Sequence, residues 1–130
     1  MDRTKSIEEL EGEVWPAPEL ESHVVVENHR LRKVPLENLS VEDLRLLVGQ
    51  KVSLEYTVPL ALEFLEENPL AAGAMYRGDL LANVLNLPDG FWQSHPELNN
   101  RLVEIKYELE IVAETIAKEL LSSISSFEFR

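Results

Sequence analysis

Apolar positions recur along this chain mostly at intervals of three and four, the spacing that lines one face of an α-helix. The clearest run is C-terminal. Leu98, Leu102, Ile105, Leu109, Val112, Ile116, Leu120 and Ile124 follow one another in steps of four or three. That stripe predicts one continuous helix opening at Pro96, about 45 Å long at 1.5 Å per residue. A compact chain of this length is roughly 36 Å across. The helix is therefore expected to be the spine of the fold, with one end frayed or projecting. Ser122, Ser123, Ser125 and Ser126 weaken helix at that end. Phe127-Glu128-Phe129 reads as a free tail or a short docked strand.

Upstream, proline and glycine punctuate shorter helices. Ser6 with Glu9 three residues later is a capping box, predicting one short turn, Ile7 to Leu10, ended by Gly12. Pro16 and Pro18 keep the next stretch extended. Residues 11–20 read as an arm laid over the body through Trp15. Residues 22–33 predict a helix with Val24, Val25, Asn28 and Leu31 on one face. Its three consecutive valines also suit a strand, but a lone strand would have no partner here. Pro35 stops it. Ser40 caps the next helix, with Asp43 reaching back to it. Leu44, Leu47 and Val48 face inward there, and Gly49 is the stop. A helix over 58–67 has Pro59 in its first turn and turns Leu60, Ala61, Phe64 and Leu65 inward, until Asn68-Pro69 ends it. Another runs from Arg77 to Asn86 with Leu80, Leu81, Val84 and Leu85 buried. Pro88-Asp89-Gly90 is a turn. Trp92 follows in a loop, where it either locks the last helix to the previous one or, if exposed, marks a partner site. The sum is an all-α, single-domain orthogonal bundle of five or six helices with a long C-terminal helix. Residues 1–21 form an acidic N-terminal arm packed on the helical body of residues 22–130.

Charge changes this picture. Among 130 residues there are 24 acidic and 12 basic side chains, a net charge of −12. Phosphate binding runs on Lys and Arg, so nucleic acid and anionic membrane surfaces are poor partners. A basic protein is a good one, because the field would speed its approach. The same charge could serve solubility alone. Cysteine is absent, which excludes disulfides, thiolate nucleophiles and cysteine-based zinc sites. No apolar run suits a signal peptide or a membrane span, so the cytoplasm is the expected compartment.

Catalytic chemistry finds little footing. His23 and His29 are six apart, not a same-face helical spacing. No Glu-x-x-His motif supports a bundle metal site. The serines lack a nucleophile elbow, and no phosphate-binding glycine loop occurs. Glu63 with Glu67, Glu104 with Glu108, and Glu110 with Glu114 are carboxylate pairs at i,i+4. Such pairs can act as acid and base if burial separates their pKa values, but they read more simply as a solvated acidic face. Neither enzyme nor cofactor is expected.

An ordered series of short motifs carries a resemblance. Ser6-Ile7-Glu8-Glu9-Leu10-Glu11 with Trp15-Pro16 leads to His29-Arg30-Leu31-Arg32-Lys33 with Pro35-Leu36. Val41-Glu42-Asp43-Leu44-Arg45 and Gly49-Gln50 follow. Val58-Pro59-Leu60-Ala61-Leu62-Glu63, Asn68-Pro69-Leu70 and Tyr76-Arg77-Gly78-Asp79-Leu80-Leu81 complete the series. Over residues 6–85 the chain resembles the immunity proteins of contact-dependent growth inhibition, in their small helical class. The resemblance implies a protein that binds and neutralises the toxic C-terminal domain of a large surface protein delivered by a neighbouring cell. Such toxins are often nucleases and hence basic. No fixed set of functional residues comes with it. The expected contact residues are Glu63, Glu66, Glu67, Tyr76 and Asp79, which cluster in sequence around one helix end and one loop. The alternative is an acidic helical adaptor that self-associates through the near-heptad stripe of its last helix or binds another basic protein. Either way the protein is expected to be a monomer or a weak homodimer.

Overall fold

A computed structural model describes residues 1–18 and 22–128. The last residues of the expected N-terminal arm, 19–21, and the end of the tail, Phe129 and Arg130, lie outside them. The fold is all-α. The helices are α1 (Ile7–Glu11), α2 (His23–Leu31), α3 (Val41–Gly49), α4 (Leu54–Glu67), α5 (Asp79–Leu85), α6 (Asp89–Ser94), α7 (Pro96–Thr115) and α8 (Leu121–Ser126). A π turn over Ile116–Leu120 joins α7 to α8, so residues 96–126 form one rod, about 46 Å long. Counting that rod once gives seven helices among the described residues. The helix not foreseen is α6, which forms just after Pro88.

Both capping boxes form. Ser6 Oγ accepts from the Glu9 N–H at 3.2 Å, and Ser40 Oγ accepts from the Asp43 N–H at 3.1 Å. Gly12 closes α1 in the left-handed region at φ 67°, where a side chain would be strained.

Leu44, Leu47 and Val48 of α3 pack with Leu62 and Leu65 of α4 and with Leu80 and Val84 of α5. These side chains are fully buried. Ile7 and Leu36 join the same core from the N-terminal third. The chain there is stitched by backbone bonds. The Leu36 N–H donates to Lys5 O, the Glu37 N–H to Arg3 O and the Glu8 N–H to Arg32 O, at 2.9 to 3.0 Å. Arg32 is buried and works as a clamp. Its Nη1 lies 2.5 Å from Glu11 Oε1 and 3.3 Å from Ser53 Oγ. Its Nη2 donates to Glu13 O at 2.8 Å. The Trp15 ring covers the guanidinium, with its centroid 4.1 Å from Cζ. His29 Nε2 lies 3.2 Å from the Trp15 carbonyl. Trp15 thus packs against the body.

Several sequence-based placements need correction. α3 does end at Gly49, its last residue, but not through a left-handed glycine. A Cβ there would sit 2.8 Å from Asn83 Nδ2. The role of Gly49 is to let α3 and α5 approach, and Asn83 uses the space to donate to Arg45 O at 2.9 Å. The chain turns afterwards, with Lys51 and Ser53 at positive φ. α4 opens at Leu54, well ahead of Pro59, which sits inside the helix. The early turn is held by tertiary burial: Thr57 and Val58 are inaccessible, and Thr57 Oγ1 donates to Val52 O at 3.2 Å. Val25, Phe64 and Leu85 were expected inside and are exposed. Each stands at the edge of its stripe, beside a fully buried neighbour such as Leu65 or Val84, where the core has already closed. Trp92 is half-buried against the core, edge-on to Phe91 with centroids 5.1 Å apart.

The last helix divides sharply. Leu102 and Ile105 are core residues, and Leu98 and Leu109 pack against the core. From Glu110 to Glu128 every residue is exposed, including Val112, Ile116, Leu120 and Ile124 of the stripe. The apolar steps of four, from Val112 through Ile124, are too wide for an α-helix. Each carries the stripe about 40° around the axis. The wider π turn at Ile116–Leu120 takes up that excess, so that Leu120 and Ile124 stay on the side of Ile116.

Candidate functional site

The loop between α4 and α5 is built around one buried carboxylate. Asp79, the first residue of α5, is 3% exposed. Its side chain accepts from the N–H groups of Gly73 at 2.6 Å, Met75 at 3.0 Å and Tyr76 at 3.3 Å. Burial pushes the Asp79 pKa up, but these amides together with that of Leu80 outweigh it. The net shift is below the ordinary carboxylate value. Arg45 Nε lies 3.7 Å from Asp79 Oδ2 and pairs directly with Glu42. Glu42 in turn accepts from the Ala74 N–H at 2.9 Å. Gly73 is pinched among these groups, with a Cβ position 3.1 to 3.2 Å from Arg45, Asp79 and Glu42. Gly78 turns the chain into α5 at φ 92°. The result is a rigid loop that presents Met75 and Tyr76, the latter 59% exposed.

Beside this loop, a groove of about 620 Å³ runs between the end of α4 and α7. Leu65, Ile105, Leu109 and Val112 form its apolar floor. Glu66 and Glu67 stand on one wall, Glu104 and Glu108 on the other. Arg101 is the cation among these residues, and it is already engaged with Glu66 at 2.5 and 3.1 Å. Leu70 links groove and loop: it lines the groove, and its Cδ2 lies 3.5 Å from the Cβ position of Gly78. Glu63, one turn back on α4, pairs with Arg3, and that ion pair holds its carboxyl below the usual range.

The five residues expected from sequence therefore separate. Glu66 and Glu67 share the groove, and Glu63 joins Glu67 at a shallow notch against Phe64 on the same helix. Tyr76 is exposed on the neighbouring loop. Asp79 is buried beneath that loop and shapes it from within. Sequence reasoning passed over Glu104 and Glu108. Their i,i+4 spacing was visible, but nothing in the chain said that α4 would supply the opposite wall. Leu70 and Met75 were also missed, since a short loop carries no periodicity to expose them.

Among the described residues, no three or more His, Asp or Glu side chains converge to hold a metal ion, and no helix is long and apolar enough to cross a membrane. The arrangement offers a surface: an acid-rimmed apolar groove beside a tyrosine-bearing loop. No curated protein and no solved structure matches the chain. The sequence profile of the CDI immunity proteins matches residues 9–102, covering every packed helix from α2 through the start of α7, and the chain belongs to that family.

Proposed function

We propose that this protein neutralises a cognate toxin domain by binding it one-to-one in the cytoplasm, and that the domain is basic, as a nuclease would be. The observation that carries this reading is the set of four carboxylates, Glu66, Glu67, Glu104 and Glu108, gathered round one groove with a single engaged cation. Within a net charge of −12, that grouping gives a basic surface both a long-range attraction and a defined landing point. A nuclease covered by such a surface would be kept from its nucleic acid by like-for-like competition.

The contact residues in this reading are Glu63, Glu66, Glu67 and Tyr76. Tyr76 suits an interface anchor, since a rigid amphipathic ring loses little entropy on ordering. Asp79 acts by holding the loop that carries it.

The test is titration calorimetry against the C-terminal toxin domain encoded beside this gene, with toxicity assayed on the same mixture. One-to-one binding with loss of toxicity is expected. The association rate should fall as salt rises. Tyr76→Ala should cost about 2 kcal/mol of affinity, and charge reversal of Glu66 and Glu67 should slow association. Affinity untouched by salt and by these changes would remove the acidic-surface reading while leaving family membership intact.

A further inference from the structure

α4 ends with the wrong sign of charge. The C-terminus of a helix is its negative end, where cations are favoured. Yet Glu66 and Glu67 close α4, one turn after Glu63, and its last turn has no basic residue. Glu63 and Glu66 are neutralised by residues from elsewhere, Arg3 and Arg101. Glu67 pairs with no cation among the described residues, and neither do Glu104 and Glu108 on the facing wall of the groove.

The backbone at this end lacks donors too. Pro69 has no N–H to return to the carbonyl of Leu65. The Leu70 N–H goes to Asn68 Oδ1 at 3.1 Å, and the Ala71 N–H goes to Asn68 O at 2.9 Å. The carbonyls of Leu65, Glu66 and Glu67 therefore end the helix without the donors an interior turn would supply. All three residues line the groove. Its floor, by contrast, is apolar: Leu65, Ile105, Leu109 and Val112. A long basic side chain has the same division, a hydrocarbon stem and a charged head. Arg101 already displays half of the fit, with its guanidinium held on Glu66.

We infer that the groove receives one Lys or Arg side chain of the toxin domain, its stem along the apolar floor and its head at the C-terminus of α4. The head donates to the open carbonyls and is neutralised by Glu67, Glu104 and Glu108. A neutral apolar side chain would cover the floor but leave these acceptors desolvated and unpaired. An acidic one would be repelled. The inference rests on the reading that the protein binds a basic toxin, and it narrows that reading. Affinity is concentrated in one inserted cation instead of being spread over the net charge.

The test changes each exposed Lys and Arg of the toxin domain encoded beside this gene singly to Met, which keeps the stem and removes the charge. Calorimetry then reads the affinity of each variant for the intact chain. One position should lose about a hundredfold, and the others less than about fivefold. Glu67 and Glu104 are exposed, so Glu67→Gln with Glu104→Gln leaves the fold intact. Against that double variant, the loss at the dominant toxin position should shrink to about tenfold or less, because both changes act on one contact. Against Glu37→Gln with Glu119→Gln, which removes the same charge from exposed sites outside the groove, the full loss should persist. Losses spread evenly over many toxin positions overturn the inference and leave a diffuse acidic surface. So does a dominant cation whose loss is unchanged by Glu67→Gln with Glu104→Gln. Absence of any binding removes the inference together with the reading beneath it, so the two failures are told apart.

Discussion

The two halves of the long helix have the same repeat and opposite surroundings. From Leu98 to Leu109 the stripe lies against α4 and the core; from Val112, at the edge of the groove, to Ile124 it is exposed among the described residues. Periodicity reports that a helix has an apolar face. It does not report what stands opposite. The packed half is set by the bulk of the body, which ends near Leu109, and the helix continues past it on its own hydrogen bonds.

Mutations should reproduce that division, beginning with its steepest side. Arg32→Ala leaves the Glu13 carbonyl without its donor and Glu11 with Ser53 alone, and it uncovers the Trp15 ring. A loss of about 3 kcal/mol is expected in urea unfolding, because a large buried side chain is lost with its packing and its hydrogen bonds, while Glu11 stays partly exposed to water. Leu62→Ala, at a site with no exposure, should cost about 3 kcal/mol. Asp79→Ala strands three loop amides and should cost about 2 kcal/mol. Ile124→Ala, in dilute protein, should stay within about 0.5 kcal/mol of the parent. A large loss at Ile124 in dilute protein would mean that the arm folds back on its own body, and the comparison would fail.

Asp79 adds a pH signature. Its folded pKa lies below the ordinary value, so its stabilisation is present above the unfolded pKa of about 3.9 and is lost as pH falls through the folded value. The stability gap between the parent and Asp79→Asn should therefore be constant near neutrality and close below about pH 4. Thermal unfolding of both proteins across that range measures it.

Much of the body was legible because its signals are local. Ser6-Glu9 and Ser40-Asp43 are short-range chemistry, and Leu44, Leu47 and Val48 need only helical spacing to mark a core face. The misreadings share a cause: they depended on partners distant in sequence. The start of α4 follows from the burial of Thr57 and Val58, not from a cap, since Ser53 makes no capping bond there. Gly49 was legible as the end of α3, but its second role was not, because nothing local announced Asn83. The candidate site was legible only in part, for the same reason. Glu66 and Glu67 could be chosen from their clustering, but a groove has two walls. Glu104 and Glu108 come from a helix that folding alone brings alongside. Asp79 resembled an exposed acid at a helix start until three loop amides were found converging on it.

Arg32 ties together stretches that ordinary helix fraying would separate. Residues 11–15, the end of α2 and Ser53 all depend on one desolvated guanidinium. The N-terminal segment cannot peel away alone without returning that group to water and breaking its contacts on α4's doorstep. Chain ends usually open easily and exchange their amide hydrogens first. Here the amide of Glu8, donating to the carbonyl of Arg32 itself, should exchange on the slow timescale of the core helices, while the amides of α8, at the other end, exchange fast. The protein is thus locked at its beginning and loose at its end.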